Sequence, residues 1–213
     1  LFRSQTEKMK KSSNPNYDVF NFGVPALVTC PNAGICSKGC YASSGRYNDP
    51  IVKRAYNRRY ELSKSEDFVA VMSWEVKWQR ENSSAKGKTL AVRINDSGDF
   101  YSLSYAMKWI KLASIFQDVR FYVYTKEVAM FKRLDRAQKI PQNFTYILSL
   151  GGKQDAKIDR TCDRHAAVFS KIEELQEQGY ADATVDDTVA FESENHRIGL
   201  VYHGRPARLW LAV

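Results

Sequence analysis

What this 213-residue chain lacks narrows its class at once. No run approaches the roughly 18 apolar residues that cross a bilayer, so a membrane protein is not expected. Four cysteines are too few for a disulfide scaffold at this length, and their clustering suits a reducing cytosol. The start, Leu1-Phe2-Arg3-Ser4-Gln5, has neither an initiating Met nor an apolar signal-peptide core, which fits a trimmed, unexported, cytoplasmic chain. The three histidines, His165, His196 and His203, show no metal-ligand spacing, and no Ser-His-Asp arrangement stands out. Hydrolase chemistry is therefore not expected. With no repeat and no linker composition, the expectation is one α/β domain over 1–213, opened by a polar N-terminal arm over 1–18.

What is present is ordinary in bulk: 44% apolar and 13% aromatic residues, enough for a sizeable core. The net charge of +8 raises the question of nucleic acid, since clustered Lys and Arg neutralise phosphates. Basic residues are spread along the chain, dense only at Lys8 to Lys11 and at Lys53, Arg54, Arg58 and Arg59. Such runs are more often solvated helix faces, so nucleic acid is not the favoured partner.

The informative stretch is Cys30-Pro31-Asn32-Ala33-Gly34-Ile35-Cys36-Ser37-Lys38-Gly39-Cys40-Tyr41. Three cysteines in one short loop can converge on a point, and two glycines let the backbone wrap closely. Thiolates select soft metals, leaving zinc and an iron–sulfur cluster as candidates. Zinc sites usually pair ligands two to four residues apart, often with histidine, whereas clusters accept three cysteines on one loop and a distant fourth. The cluster is favoured, with zinc as the alternative and a trio of free thiols as the remaining reading. Cys162, the remaining cysteine, is the natural fourth thiolate, against the alternative of an inert free cysteine.

Hydrophobic periodicity gives an alternating pattern. Strands are expected at Phe20–Thr29, Thr89–Ile94, Val119–Tyr124 and Phe144–Leu150. Helices are expected over Ile51–Ser63 behind Asp49-Pro50, from Ser65, over Ser102–Phe116 and over Val128–Ala137. A weaker pattern follows, with strands at Ala166–Phe169, Val189–Phe191 and Ile198–Tyr202 and a helix at Ile172–Gln178. This order implies a parallel sheet, read as a small (β/α) TIM-like barrel, with an open parallel α/β sheet as the alternative. The polar clusters follow the strands, so the cysteine loop, Arg93, Asp96, Ser97, Asp99 and Lys126 should share the carboxyl-end face and line a cofactor or small-ligand site. Arg93 in an apolar strand wants a carboxylate, for which Asp96 or Asp99 would serve. Lys126 and Gly151-Gly152 are candidates to hold an anion.

With Cys-Pro-Asn-Ala-Gly-Ile-Cys-Ser-Lys-Gly-Cys-Tyr-Ala, Val-Arg-Ile-Asn-Asp-Ser-Gly-Asp-Phe-Tyr-Ser and Tyr-Thr-Lys in order, the chain resembles the phage-encoded gene product 88 domain family over about residues 22–126. The resemblance implies a phage or prophage origin, action in the host cytoplasm and an iron–sulfur protein. On it, Cys30, Cys36, Cys40 and Cys162 would bind a [4Fe-4S] cluster serving redox, electron transfer or sensing, with an unknown redox partner or small ligand. The chain is also similar to radical S-adenosylmethionine enzymes, which share a barrel and a three-cysteine loop. Those enzymes typically use Cys-x3-Cys-x2-Cys, whereas this loop is Cys-x5-Cys-x3-Cys. Members of the phage family often carry further cysteines near the C-terminus, and here Arg205 to Trp210 has none. A radical S-adenosylmethionine-like enzyme is one alternative function; a nucleic-acid-binding module with a structural metal site is another. Since the enzyme resemblance implies an iron without a protein ligand, a fourth thiolate from Cys162 would close that position and preclude cleavage of S-adenosylmethionine.

Overall fold

The computed structural model describes Phe2 and residues 14–202. Most of the expected arm, the basic run Lys8 to Lys11, His203 and the segment Arg205 to Trp210 lie outside the described residues. Seven strands form one sheet: β1 (Tyr17–Phe22), β2 (Thr89–Ile94), β3 (Arg120–Thr125), β4 (Phe144–Ser149), β5 (His165–Phe169), β6 (Ala181–Asp182) and β7 (Arg197–Val201). Every pairing is parallel. Parallel strands are covered on both faces and so read as continuous apolar runs; Leu90-Ala91-Val92 and Phe121-Tyr122-Val123 are buried throughout. The helices are α1 (Pro50–Lys64), α2 (Phe68–Ser84), α3 (Leu103–Ile115), α4 (Val128–Arg136), α5 (Ile172–Glu177) and α6 (Val189–Glu192). Asp49 caps α1, accepting from the Ile51 amide at 2.7 Å ahead of Pro50, and Ser102 caps α3 through the Tyr105 amide at 3.2 Å. No described helix is long and apolar enough to cross a membrane.

The strand order is β1-β2-β3-β4-β5-β7-β6. Strands laid down in sequence through right-handed crossovers put their helices on one face, which curls the sheet into half a barrel. Closure would need β1 to meet the far edge, and among the described residues the edges are β1 and the two-residue β6. The open parallel sheet is thus the architecture found; closure into a full barrel is not seen.

The two faces of the sheet have different tasks. Alternate residues Phe22, Leu90, Val92, Ile94, Phe121, Val123, Phe144 and Leu148 pack outward in a core with Phe68, Met72, Trp109 and Phe131 of the helices. On the inner face Val19, Ala91, Tyr122, Ile147, Ala166 and Ile198 are covered by Ala183 and Ala190, so α6 and the segment before it plug the amino-terminal half of the half-barrel. The carboxyl-terminal half stays open for a site. Two expected strands differ. The first begins earlier, at Tyr17, and stops at Phe22, because Pro25 and a positive φ of 66° at Leu27 turn the chain and leave Val28 exposed. Val189-Ala190-Phe191, too short for its period to be read, is the helix α6, and the short β6 carried no legible pattern.

Candidate metal centre

The cysteine loop lies between β1 and α1 as three short 3-10 turns, Ile35–Gly39, Tyr41–Ser43 and Gly45–Asn48. It is held from the far side of the sequence by the segment after β4. Ala33 and Gly152 form an antiparallel bridge, the Cys36 amide donates to Gly151 O at 3.2 Å, and the Lys153 amide donates to Asn32 O at 2.9 Å. A Cβ on Gly34 would stand 2.8 Å from Gly151 O, and one on Gly152 would stand 3.1 Å from Asn32 O. These glycines are needed for close backbone approach. The expected anion cradle is overturned at Gly151 and Gly152, because their amides already donate to the two carboxylate oxygens of Asp155, at 2.7 and 2.9 Å.

Cys30, Cys36 and Cys40 line one cavity of about 190 Å³ together with Arg93, Asn95, Ser97, Asp99, Tyr124, Lys126 and Ser149. Burial pushes the Cys30 thiol up to about 12, and the neighbouring Asp99, Cys40 and Cys36 add to it. Cys40 is raised as well, chiefly by burial. Elevated thiols are poor nucleophiles, so Cys30 and Cys40 are not built as activated cysteines. What would favour their thiolates is a cation bound among them. Among the described residues no three His, Cys, Asp or Glu side chains are gathered closely enough for one metal ion. A tetrahedral zinc at 2.3 Å from each sulfur would require thiolates about 3.8 Å apart. A cluster, whose separate irons hold the sulfurs, accepts a wider set.

Cys162 is not brought to the other three. It is exposed, in the turn before β5, where its thiol bonds Asp159, and Asp163 beside it pairs with Lys132 at 2.5 Å. The reason is topological: in a parallel sheet the β4–β5 connection leaves the carboxyl end and must return to the amino end, and Cys162 lies three residues before β5 starts. The expectation that it returns to the face of the cysteine loop therefore fails on placement.

The Asp96–Asp99 turn is largely a clamp. Asp99 accepts from Thr125 Oγ1 at 2.6 Å, from the Lys126 amide at 2.8 Å and from its neighbour's amide, Phe100 N–H, at 2.8 Å. Asp96 is buried and is not among the residues lining the cavity; it accepts from Asn21 Nδ2 at 2.5 Å and Tyr56 OH at 3.2 Å, while Tyr41 OH donates to its carbonyl. Ser97 gives its carbonyl to the Val24 amide at 2.9 Å, and Gly98, at φ 79°, lies where a Cβ would meet Thr29 Oγ1. Arg93 pairs with neither aspartate of this turn. Its guanidinium donates to both oxygens of Asp187, at 3.2 and 3.0 Å, and Tyr122 OH donates to the same carboxylate at 2.5 Å. Sequence reasoning missed Asp187, for which the demand of Arg93 was the only signal. Lys126 Nζ reaches Ser149 Oγ at 2.8 Å. In the basic helix, Lys53, Arg54 and Arg58 are exposed, but Arg59 is buried with its guanidinium 5.0 Å from the Tyr56 ring centroid.

Comparison with known proteins adds a family and no function. The family described as "Gene product 88" matches residues 1–208. The "Gene 88 protein" of Mycobacterium phage D29 is 28% identical over 123 residues, 54% of this chain and 51% of that protein. The chain thus spans about half the length of that curated relative. No solved structure matches.

Proposed function

Because the chain belongs to the gene product 88 family of phage proteins, and because its three loop cysteines line a single cavity, we propose that it is an iron–sulfur protein whose cluster is held by Cys30, Cys36 and Cys40. The single observation behind the proposal is that shared cavity at the carboxyl ends of the strands. The donor set fits: three soft ligands, no histidine, and burial that raises the Cys30 and Cys40 thiols, so that a bound cation is what would favour their thiolates. When bound, a cluster supplies one-electron redox chemistry. The chain's own part is to hold the thiols on a loop buttressed by Gly151 and Gly152 and to leave them half-buried in one cavity.

Of the two readings offered by the sequence, the placement of Cys162 bears on the choice. Three protein thiolates leave one iron of a [4Fe-4S] cluster for another ligand, so the argument against S-adenosylmethionine cleavage loses its premise. A redox or sensing role with an open iron is our first reading. A radical S-adenosylmethionine-like enzyme is the second, favoured by the cavity beside the thiols.

The test is anaerobic purification followed by reconstitution with ferrous iron and sulfide. We expect iron and sulfide in comparable amounts, a cluster absorbance lost in Cys36→Ala and kept in Cys162→Ala. Stoichiometric zinc without sulfide, or loss of the cluster in Cys162→Ala, sinks the proposal.

A further inference from the structure

We propose that the outer face of α2 is where two copies of this chain meet, antiparallel about a two-fold axis. Helix α2 is apolar on two sides. Phe68, Met72 and Val76 are fully buried in the core, while Val71, Trp74 and Trp78, at i, i+3 and i+7, form a second stripe on the outer side. Trp74 is 67% exposed and Trp78 52%, whereas Trp109 is wholly buried. The two exposed rings stand one helical turn apart with parallel planes, at 3°, and centroids 6.1 Å apart. Tryptophan is enriched among the residues that carry binding energy at interfaces, and two on one open helix face make an anchor.

The occupant follows from charge. From Glu66 to Glu81 the acids Glu66, Asp67, Glu75 and Glu81 outnumber Lys77 and Arg80, and Arg80 already meets Asp118 at 3.4 Å. A nucleic acid or an anionic membrane would meet like charge here, although the chain as a whole carries +8. The two ends of the helix are of opposite sign. At the amino end Glu66 and Asp67 stand against one cation, Lys108, whose ammonium is taken up by the carbonyls of Ser63, Lys64 and Ser65. At the carboxyl end Lys86 and Lys88 share one anion, Asp18, which pairs with Lys86 at 2.9 Å. A two-fold axis between Trp74 and Trp78 lays each Trp74 on the Trp78 of the other copy, and sets the acidic end of each helix beside the basic end of its mate. A parallel pair would set like charges together. At these exposures the two tryptophans offer roughly 180–300 Å² of apolar surface per copy, about a third of the ~800 Å² per partner of a stable complex. The association is therefore weak and exchanging. It uses no residue of the cysteine loop, so it stands apart from the iron–sulfur reading.

Sedimentation velocity of the full chain at low salt, from about 5 to 500 μM, should show the mass rising from that of one chain toward that of two. Trp74→Ala combined with Trp78→Ala should weaken the association by about tenfold or more. Glu66→Lys and Lys88→Glu, each alone, set like charges together at both ends of the interface and should each weaken it roughly fivefold. Mixed in equal amounts, these two charge variants regain opposite charges at both ends, and the mixture should associate as the wild type does. Circular dichroism establishes that each variant is folded; if the tryptophan variant is not, the charge variants decide. A single chain at every concentration, association indifferent to the folded tryptophan variant, or a mixture no better than either charge variant alone overturns the assignment. A mixed-sequence oligonucleotide bound by single chains through Trp74 and Trp78 would give the face to nucleic acid and overturn it as well.

Discussion

Arg93 shows how far a single residue can be read. A guanidinium in a buried strand demands a carboxylate, and that demand is visible in Val-Arg-Ile, but its partner lies 94 residues away in a stretch without periodicity. Asp96 and Asp99 were the nearer candidates, and both are consumed elsewhere, by Asn21 and Tyr56 and by Thr125 and the Lys126 amide. The thiols follow the same logic. Cys30, Cys36 and Cys40 were legible as one group because a dozen residues of chain confine them, whereas the position of Cys162 depends on which end of a strand it precedes. Breaking the buried pair tests its weight: Asp187→Ala leaves Arg93 uncompensated and should lower stability by about 3–5 kcal/mol, read from the urea midpoint.

Elements with a full period and a cap were legible, and those without were not. Asp49-Pro50 and Ser102 mark the starts of α1 and α3 within a residue, and β2, β3 and β4 are runs of apolar residues between turns. After Leu150 the elements shorten to as few as two residues, too short for a period of either kind to be read. There the connections are made by single side chains. His165, at the start of β5, donates from Nδ1 to Asp163 O at 2.9 Å, its Nε2 meets Tyr180 OH at 3.1 Å, and its ring lies 5.9 Å from that of His196 before β7. Burial holds its imidazole below the ordinary 6.5, so the unfolded chain binds the proton more readily. The stabilisation is therefore full above about pH 6.5 and is lost as pH falls from there through the folded value. Thermal melts between pH 7 and 5 should show this loss in the wild type, and His165→Gln should flatten it.

At the scale of the molecule, the half-barrel has a stiff centre and a thin rim. β2 and β3 are flanked by strands on both sides and buried on both faces, while β6 is a two-residue edge beside the short α5. Native-state hydrogen exchange should follow: amides of β2 and β3 slowest, those of β6 and α5 first to open; the reverse order would contradict this division. The barrel-like arrangement was legible in the strand–helix alternation, but openness was not, since closure depends on strand number and on the exchange of β6 and β7 in the sheet. The bridge from Ala33 to Gly152 also imposes an order in time. Synthesis proceeds at about 5–20 residues per second, so Cys30 leaves the ribosome roughly 6–24 seconds before its buttress exists. During that interval the three thiols are on an unsupported loop, open to oxidation and to whatever metal is most available. On the iron–sulfur proposal, loading would belong to the finished chain, and the newborn loop would have to be kept reduced until Gly152 arrives.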